Sequence, residues 1–429
     1  YDHPYTFGGV YNRDHFYFSV DPFTIDSLDN FTRSGIQFPG TFTSAGIFPE
    51  MKETLVLMDD YSLGFIKTAT LPMYKGTGTT TMTMNLSNLG FFGNGEINFA
   101  GSVTKSNKFA MFPDSTNGFS DAFELKASSL HPEAKGKNLY THWEPYKDRM
   151  SQFTIDDPIN LYTDANFFGE YILGKKGSKA NGDMHFNDAV LGSKNMSLEP
   201  KKFNADTSTL IIKSIDPEKY AFKAVNVKAD VNMEKRIGDF KALGDGANSE
   251  FPYNTYKGSL NEFKWEIKKK TLQFIAPPGT PDEKQYFVST NLAHDSLKFI
   301  SKDALYDLNS YVLYANKVPY IHIADASAIP DSGKVIIRQY GKMDTLRRAK
   351  LVVDTANKFH TLYNCDLYVA GKYEYYGKGF YDRYLKKYLK QFKNILTVGV
   401  AFSFQRHHKL PINQKDIKLK FIITEKGIF

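Results

Sequence analysis

The sequence predicts a mainly β fold made of repeated multi-strand units, with one short amphipathic helix near the C-terminus. Three observations support this fold class. Aromatic residues make up 15% of the 429 residues, with 35 Phe and 27 Tyr, and these residue types favour strands. Short strand-like runs alternate with clusters of Gly, Asn and Asp, which are typical of turns. One long stretch of sequence also recurs further along the chain.

The composition is that of a globular chain with several domains or repeats. Hydrophobic residues make up 41% and charged residues 24%, and the chain is too long for one ordinary core. No apolar run is long enough for a membrane-spanning helix. The chain starts at Tyr1 without a leader pattern and ends in a strand-like run. We therefore expect a processed product or a piece of a longer protein.

The predicted strands are short runs rich in β-branched and aromatic residues. The clearest are residues 80–84, 96–99, 210–212, 263–267, 334–337 and 350–353. The pairs Asn94-Gly95 and Asn181-Gly182 predict tight turns, because both residue types accept a positive φ.

The recurring stretch places residues 86–113 on residues 173–200 at a shift of 87, without a gap. The identical pairs are Leu86/Leu173, Gly90/Gly177, Asn94-Gly95/Asn181-Gly182, Phe99/Phe186, Ser106/Ser193 and Pro113/Pro200. Upstream, Tyr74 matches Tyr162 after a slip of one residue. Since Gly and Pro determine backbone conformation, their common spacing predicts two copies of one unit. The period is too long for one coil of a solenoid, so each copy should hold several strands. We expect stacked curved sheets, either sandwich-like or solenoid-like.

On this basis we divide the chain into five segments. They are an N-terminal β segment (1–70), β repeat 1 (71–158), β repeat 2 (159–250), a divergent β unit (251–340) and a basic C-terminal β unit (341–429). The last segment holds 18 Lys and Arg against 7 Asp and Glu, a net charge of +11, so the preceding 340 residues carry −4. A basic end on a mildly acidic body could meet nucleic acid, anionic lipid or an acidic partner.

Within the basic segment, apolar residues at helical spacing over 381–395 predict the amphipathic helix. Its polar face carries four lysines that form a candidate partner or lipid surface: Lys386, Lys387, Lys390 and Lys393. The helix could instead pack its apolar stripe on the β body and leave these lysines in solvent.

Three stretches give the chain a family resemblance. They are residues 54–65 (TLVLMDDYSLGF), 88–95 (NLGFFGNG) and 372–377 (KYEYYG). Together they resemble the large uncharacterised exported β-repeat envelope proteins of Bacteroidota-type bacteria, through turn and strand patterns over most of the chain. This resemblance implies a location in the bacterial periplasm, at the outer membrane or on the cell surface. It implies no catalytic residues.

No motif in the sequence predicts a reaction. HExxH, the phosphate loop GxxxxGK[ST] and the nucleophile elbow GxSxG are all missing from the sequence. We therefore assign no catalytic, cofactor-binding or metal-ligating residue. The single cysteine, Cys365, excludes an intramolecular disulfide and any multi-cysteine metal site, and it is expected to be a small packed residue.

Calcium is the one cofactor kept as an alternative. Oxygen ligands could come from Asp21, Asp26, Asp29, Asp59 and Asp60. Turns and helix caps explain the same acids without a metal, because Asp side chains accept hydrogen bonds from nearby backbone amides.

Two histidine-containing stretches also need an interpretation. His407-His408 lies in a basic run, and we expect a solvated loop there. His322 and Asp325 are three residues apart in a strand-like sequence. On a strand these two side chains would face opposite sides, so we predict a strand end and a turn rather than a catalytic pair.

Tyrosines suggest glycan binding as a further interpretation. Tyr373, Tyr375 and Tyr376 could form a flat aromatic platform, as could Trp143 and Trp265. Alternating aromatic residues on strands otherwise pack in the core or against cross-strand neighbours.

Taken together, the sequence favours a non-enzymatic structural or interaction scaffold of the bacterial cell envelope, part of a larger exported protein or complex. Repeats supply long surfaces that suit assembly better than a single pocket does. The alternatives are a glycan-active enzyme or glycan-binding β protein, and a periplasmic lipid-bridging β-trough protein. Expected partners are other envelope proteins, with anionic lipid or polysaccharide as further ligands. Nucleic acid is not expected, because no known nucleic-acid-binding signature occurs.

Overall fold

The computed structural model describes residues 2–23, 36–244, 246–353, 360–381, 396, 398–400 and 419–428. About 60% of the protein is strand and 5% is helical, and the strands form a large antiparallel sheet. The prediction of a mainly β protein is therefore confirmed. Within the described ranges, no helix combines the length and apolar character needed to cross a membrane.

The first half of the chain contains strands β1 to β18. They are β1 Phe16–Val20, β2 Gln37–Ser44, β3 Met51–Leu57, β4 Leu63–Met73, β5 Gly78–Ser87, β6 Gly90–Phe99, β7 Ser102–Met111, β8 Thr116–Ser120, β9 Ala122–Leu125, β10 Ala134–Gly136, β11 Leu139–Glu144, β12 Arg149–Thr154, β13 Ile159–Leu161, β14 Ala165–Gly174, β15 Gly177–His185, β16 Ala189–Leu198, β17 Lys202–Lys213 and β18 Tyr220–Asn232.

The strands are shorter from β19 onward. They are β19 Ile237–Ala242, β20 Ser249–Phe251, β21 Tyr256–Gly258, β22 Glu262–Glu266, β23 Thr271–Ile275, β24 Tyr286–Ser289, β25 Lys298–Ile300, β26 Asp303–Asp307, β27 Val312–Asn316, β28 Ile321–Ile323, β29 Ala326–Ile329, β30 Val335–Ile337, β31 Leu346–Val353, β32 His360–Val369, β33 Tyr375–Tyr381, β34 Val398–Val400, β35 Phe421–Thr424 and β36 Gly427–Ile428. Within the described residues, the helical segments are single 3₁₀ turns: Phe7–Gly9, Pro145–Lys147, Pro252–Asn254, Asp282–Lys284, Leu292–His294 and Gln339–Gly341.

The chain forms two compact units. Unit 1 comprises Tyr1–Tyr253, Lys257–Gly279 and Leu305–Tyr311, and unit 2 comprises Asn254–Tyr256, Thr280–Ala304 and Val312–Phe429.

Unit 1 begins as an antiparallel meander in which each strand from β1 to β7 pairs with the next. In β5, Thr80, Met82, Met84 and Leu86 are buried, whereas the residues between them are mostly exposed. This alternation is the two-residue period of a strand with one face on the core.

After β7 the meander divides into two tracks. The start of β7 pairs with β9 and its end pairs with β8. One track runs through β8, β11 and β12, the other through β9 and β10 to β13, and both rejoin at β14. Thr104 lies opposite Phe123 of one track and its hydroxyl accepts a hydrogen bond from Gln152 of the other at 3.3 Å. The two tracks are therefore layers that face each other across a core.

Strands β14 to β16 have nearly the bounds of β5 to β7 after adding 87 residues. Gly78–Ser87 maps onto Ala165–Gly174, and Ser102–Met111 maps onto Ala189–Leu198. Only β15, which ends at His185, is one residue shorter than its counterpart β6.

The predicted turns at the two Asn-Gly pairs are wrong, because Gly95 and Gly182 lie inside β6 and β15. Both have nearly the same backbone dihedral, φ 153° and φ 151°. The pairing register with the following strand shifts beside each glycine, which marks a β-bulge. A Cβ at either position would run into the carbonyl oxygen of the preceding strand, at Thr81 or Phe168. Glycine is therefore required for this close approach.

A serine occupies the matching bulge in the neighbouring strand. The Ser106 hydroxyl donates to the Phe119 carbonyl at 2.6 Å and accepts from the Lys108 amide at 3.0 Å. The Ser193 hydroxyl donates to the Thr207 carbonyl at 2.7 Å and accepts from the Asn195 amide at 3.1 Å. Each serine thereby satisfies backbone groups that the bulge removes from the ladder.

The two tyrosines related by the one-residue slip also have matching surroundings. The Tyr74 hydroxyl lies 2.9 Å from the Phe112 carbonyl oxygen and 2.7 Å from that of Ser115. The Tyr162 hydroxyl lies 2.9 Å from the carbonyl oxygens of both Glu199 and Lys202. Burial raises the pKa of both hydroxyls, so each remains a neutral donor.

The two tryptophans pack against equivalent residues of the two repeats, Phe99 and Phe186, although they come from different strands. Trp143, Met150 and Leu173 form one cross-strand row on β11, β12 and β14. The row Val231, Gly238 and Trp265 lies on β18, β19 and β22. Trp143 packs 5.4 Å from Phe99, and Trp265 packs 5.3 Å from Phe186, as measured between ring centroids. Trp143 is 0% exposed and Trp265 is 4% exposed.

Unit 2 is a second antiparallel arrangement. Strand β25 pairs with β24 and β28, β28 pairs with β29, and pairing continues through β31 and β32 to β33. Strand β27 pairs with β30. A small separate sheet joins β34 and β35 in parallel and β36 antiparallel to β35. The predicted helix over 381–395 lies outside the described residues, apart from Tyr381, which ends β33.

Candidate functional site

The most distinctive surface of unit 2 is a row of exposed aromatic side chains on β32 and β33. Cross-strand register places Tyr363 opposite Phe380 and Tyr368 opposite Tyr376. We call these four residues the aromatic ladder. Their exposed fractions are 42% and 70% for the first pair and 36% and 57% for the second. A contiguous patch of exposed apolar side chains marks a candidate interaction surface.

The local sequence explains why the ladder faces outward. Tyr376 and Phe380 alternate with Gly377 and Gly379 along β33, so the glycines lie on the opposite face, beside Leu367 and Cys365. A Cβ on Gly379 would lie 3.2 Å from the Cβ of Cys365 and closer still to its sulfur. The glycines thus let β33 pack against buried side chains of β32, while the aromatic rings remain in solvent.

Tyr368 and Tyr376 are the ladder pair with nearly parallel rings. Their ring centroids are 6.3 Å apart and their planes differ by 17°. The hydroxyl of Tyr376 donates to the Glu374 carboxylate, which raises the pKa of Tyr376. Two nearly parallel exposed rings provide a platform for another flat apolar face.

A groove of about 720 Å³ adjoins the ladder at Tyr368. Its charged lining residues are Lys334, Lys342, Arg347, Arg348, Asp331 and Asp344. We call this the cationic groove. Arg347 and Arg348 are both exposed because a β-bulge interrupts β31 there, with φ 54° at Arg348.

The acids of the cationic groove are already engaged by arginines. Asp331 lies 3.0 Å from the Arg348 guanidinium. Asp344 accepts two hydrogen bonds from Arg338, at 2.6 and 2.8 Å, and this contact raises the pKa of Arg338. Among the described residues, Lys342 and Arg347 make no ion pair. Both side chains are exposed.

A second open cleft, of about 680 Å³, lies in unit 1. Its two carboxylates are each held by a cation, Asp164 by Arg236 and Asp188 by Lys270, the latter at 2.8 Å. The hydrogen bond that Lys270 donates to Asp188 raises the pKa of Lys270. These carboxylates act as ion-pair partners within the fold.

The predicted platform residues are placed separately. Tyr373 is 64% exposed in the turn before β33, with the Lys372 ammonium 5.1 Å from its ring centroid. Tyr375 is half-buried on the opposite face of β33 from Tyr376, and burial raises its pKa. The structure brings Tyr376 together with Tyr368 rather than with the other two. Trp143 and Trp265 are buried and form no platform.

The other sequence candidates have the following places. Lys386, Lys387, Lys390, Lys393 and the pair His407-His408 lie outside the described residues, as do Asp26 and Asp29. Asp60 accepts from the amide and the hydroxyl of Ser62, at 3.0 and 2.7 Å, which lowers the pKa of Asp60 and identifies it as a turn residue. In the part of the chain that the structure describes, no group of three or more His, Cys, Asp or Glu is placed to hold a metal ion.

His322 is hydrogen-bonded within a hairpin, and Cys365 is packed in the interior. The His322 Nδ1 lies 3.1 Å from the Ser327 hydroxyl across the β28–β29 hairpin, and Asp325 follows in the turn. Cys365 is 2% exposed, and burial raises the pKa of its thiol. The prediction of a packed cysteine is therefore confirmed.

Sequence reasoning missed Tyr368, Lys342 and Arg347. In the run Leu367-Tyr368-Val369 a tyrosine stands between two aliphatic residues, and this alternation is a recognisable signal. In the structure the tyrosine is exposed and its two neighbours are buried. The two cations could not be found in this way, because a bulge and strand pairing place them beside Tyr368. Comparison with protein-family models, with curated proteins and with solved structures found no match.

Proposed function

We propose that this protein is a non-enzymatic structural or interaction scaffold of the bacterial cell envelope and part of a larger exported protein or complex. One observation supports this most: strands β5–β7 and β14–β16 have nearly the same bounds after a shift of 87 residues. We infer that they belong to two copies of one sandwich-like unit, since the bulge glycines, bulge serines and hydrogen-bonded tyrosines recur with them.

Repetition of this kind favours an extended surface over a single pocket. The solvent face of the meander carries hydroxyl pairs across the strands. Thr68 pairs with Thr83 at 2.8 Å and Thr70 pairs with Thr81 at 3.0 Å. Such a face is polar enough to remain in solvent and regular enough to contact a repeating partner.

The envelope setting follows from the resemblance to exported β-repeat proteins. That resemblance implies a location in the periplasm, at the outer membrane or on the cell surface, and we propose other envelope proteins as partners. The lipid-trough alternative needs an open apolar interior. The described inner faces of unit 1 instead pack on each other, as the buried Trp143 and Phe99 do, and they give that alternative no support.

Glycan binding is the second candidate function, and the aromatic ladder favours it. The rings of Tyr368 and Tyr376 are exposed, nearly parallel and held on a paired strand. A sugar ring presents an apolar face of C–H groups, and a rigid tyrosine surface matches such a face.

The scaffold proposal is tested with the purified protein in solution. Incubation with polysaccharide, phospholipid, peptide and phosphoester substrates should release no product, while envelope proteins added at micromolar concentration should form complexes of fixed stoichiometry. Robust substrate turnover that is lost on heat denaturation would overturn the proposal.

A further inference from the structure

We propose that the aromatic ladder and the cationic groove of unit 2 form one binding surface for an acidic polysaccharide. The sugar rings would lie on Tyr368 and Tyr376, and the carboxylates of uronic-acid residues would lie against Lys342 and Arg347. This inference rests on glycan binding, the second candidate function, and it specifies the class of glycan.

The two parts of the surface meet at Tyr368. This residue stacks with Tyr376 in the ladder and also lines the groove. The ladder and the groove are therefore adjacent at this residue. Neighbouring strands lie about 5 Å apart, so aromatic and cationic contacts to one short stretch of polymer are within reach of each other.

The free charge on this surface is positive. Arg348 is balanced by Asp331, whereas Lys342 and Arg347 make no ion pair among the described residues. The ammonium of Lys334 lies 4.6 Å from the ring centroid of Tyr314, which leaves its charge unneutralised. The planar guanidinium of Arg347 can bind a carboxylate through two parallel hydrogen bonds.

The acids on the surface favour a glycan over a nucleic acid. Asp331 and Asp344 line the groove, and Asp366 lies between Tyr363 and Tyr368 on β32, opposite Lys378. A DNA backbone carries a negative charge at every nucleotide and has no hydroxyl along its chain that could donate a hydrogen bond to a carboxylate. A uronic-acid polysaccharide is also charged, but its free sugar hydroxyls can donate hydrogen bonds to these carboxylates.

The test measures binding of the purified protein to defined polymers by isothermal titration. The acidic probes are polygalacturonate, alginate and hyaluronate. Methyl-esterified polygalacturonate is the matched neutral probe, because esterification removes the charge and keeps the sugar chain. Dextran and single-stranded DNA are the remaining comparisons. We expect one acidic glycan to bind at least 10-fold more tightly than its uncharged counterpart and than DNA, with an affinity that falls as salt is added.

Three variants locate the surface. Lys342→Ala/Arg347→Ala should lower the affinity for the acidic glycan at least 10-fold and flatten the salt dependence of that affinity. The control Lys175→Ala/Lys176→Ala removes two exposed charges from a hairpin turn in unit 1 and should leave binding unchanged. Tyr376→Ala should lower the affinity for the charged and the esterified glycan alike, whereas Tyr376→Phe should keep the stacking and the affinity. Unchanged thermal unfolding of each variant shows that the fold is intact.

The outcomes distinguish glycan binding in general from a preference for acidic glycans. Equal binding of polygalacturonate and its methyl ester would leave glycan binding standing and overturn the acidic class. DNA binding as tight as that of the acidic glycans would overturn the saccharide class. Binding of none of the polymers would overturn both glycan binding and this inference. An unaltered affinity in Lys342→Ala/Arg347→Ala would place the site elsewhere and likewise overturn it.

Discussion

The bulge glycine of β15 gives the sharpest test of the repeated architecture. In Gly182→Ala, the new Cβ would lie 2.9 Å from the Gly169 Cα and closer still to the Phe168 carbonyl oxygen. Ordinary carbon contacts begin near 3.4 Å, so β14 and β15 must separate by about 0.5 Å or more. Overpacking of this kind costs about 1–3 kcal/mol. The backbone dihedral, φ 151°, adds about 1–3 kcal/mol for any residue with a side chain.

Gly177 supplies a matched control for the backbone term. It lies at the start of the same strand with φ 149°, and a Cβ there meets nothing within 4 Å. The Gly177→Ala variant therefore has the dihedral strain without the steric clash. We expect Gly182→Ala to lower the free energy of unfolding by about 1–3 kcal/mol more than Gly177→Ala does. Gly95→Ala should show a similar total loss, because its Cβ would lie 2.6 Å from the Met82 Cα at φ 153°.

Urea unfolding followed by tryptophan fluorescence measures these differences. The protein has two tryptophans, Trp143 and Trp265, and both are buried in unit 1, so the signal reports the unit that carries the glycines. Equal losses in Gly182→Ala and Gly177→Ala would refute the argument that glycine is needed for close strand approach.

Three further predictions follow from single side chains. Tyr162→Phe removes the hydroxyl that hydrogen-bonds to the carbonyls of Glu199 and Lys202 and should cost about 1 kcal/mol in the free energy of unfolding. Tyr74→Phe should cost a similar amount, and Tyr61→Phe, at a side chain 85% exposed, should cost almost nothing, so equal losses at all three positions would contradict the reasoning. His131 is 5% exposed and burial lowers its pKa, so the folded state favours the neutral ring. The contribution of His131 to stability is therefore full above the ordinary histidine pKa near 6.5, and it falls as the pH drops below that value, by at most about 1.4 kcal/mol per pH unit. His131→Gln should flatten the pH dependence of urea midpoints between pH 7 and 5. The Cys365 thiol, buried with a raised pKa, should react with a thiol reagent at least 100-fold more slowly in the folded protein than in urea; rapid labelling of the folded protein would show that β33 does not cover it.

Much of the strand content was predictable because it follows from local patterns. Alternation in residues 80–86 and the matched spacing of Gly90, Gly177 and the two Asn-Gly pairs both reflect backbone requirements. The role of Asn-Gly was not predictable in the same way. A positive φ satisfies a tight turn and a bulge equally, and only the neighbouring strand decides between them.

The binding surface was predictable only in part. Tyr376 was identifiable as an aromatic residue in a glycine-rich strand. Its stacking partner Tyr368 and the cations Lys342 and Arg347 come from separate segments, and strand pairing and a bulge in β31 bring them together. Contacts of this kind depend on register, which a sequence without a partner strand does not specify.

The central claim, that this protein is an interaction scaffold, is tested most directly by mass spectrometry of the intact assembly after gentle purification from the native source. We expect the 48.7 kDa sequence within a larger species that contains envelope proteins in fixed stoichiometry, or within a longer parent chain. A lone chain of this mass, without partners at native concentration, would contradict the scaffold account.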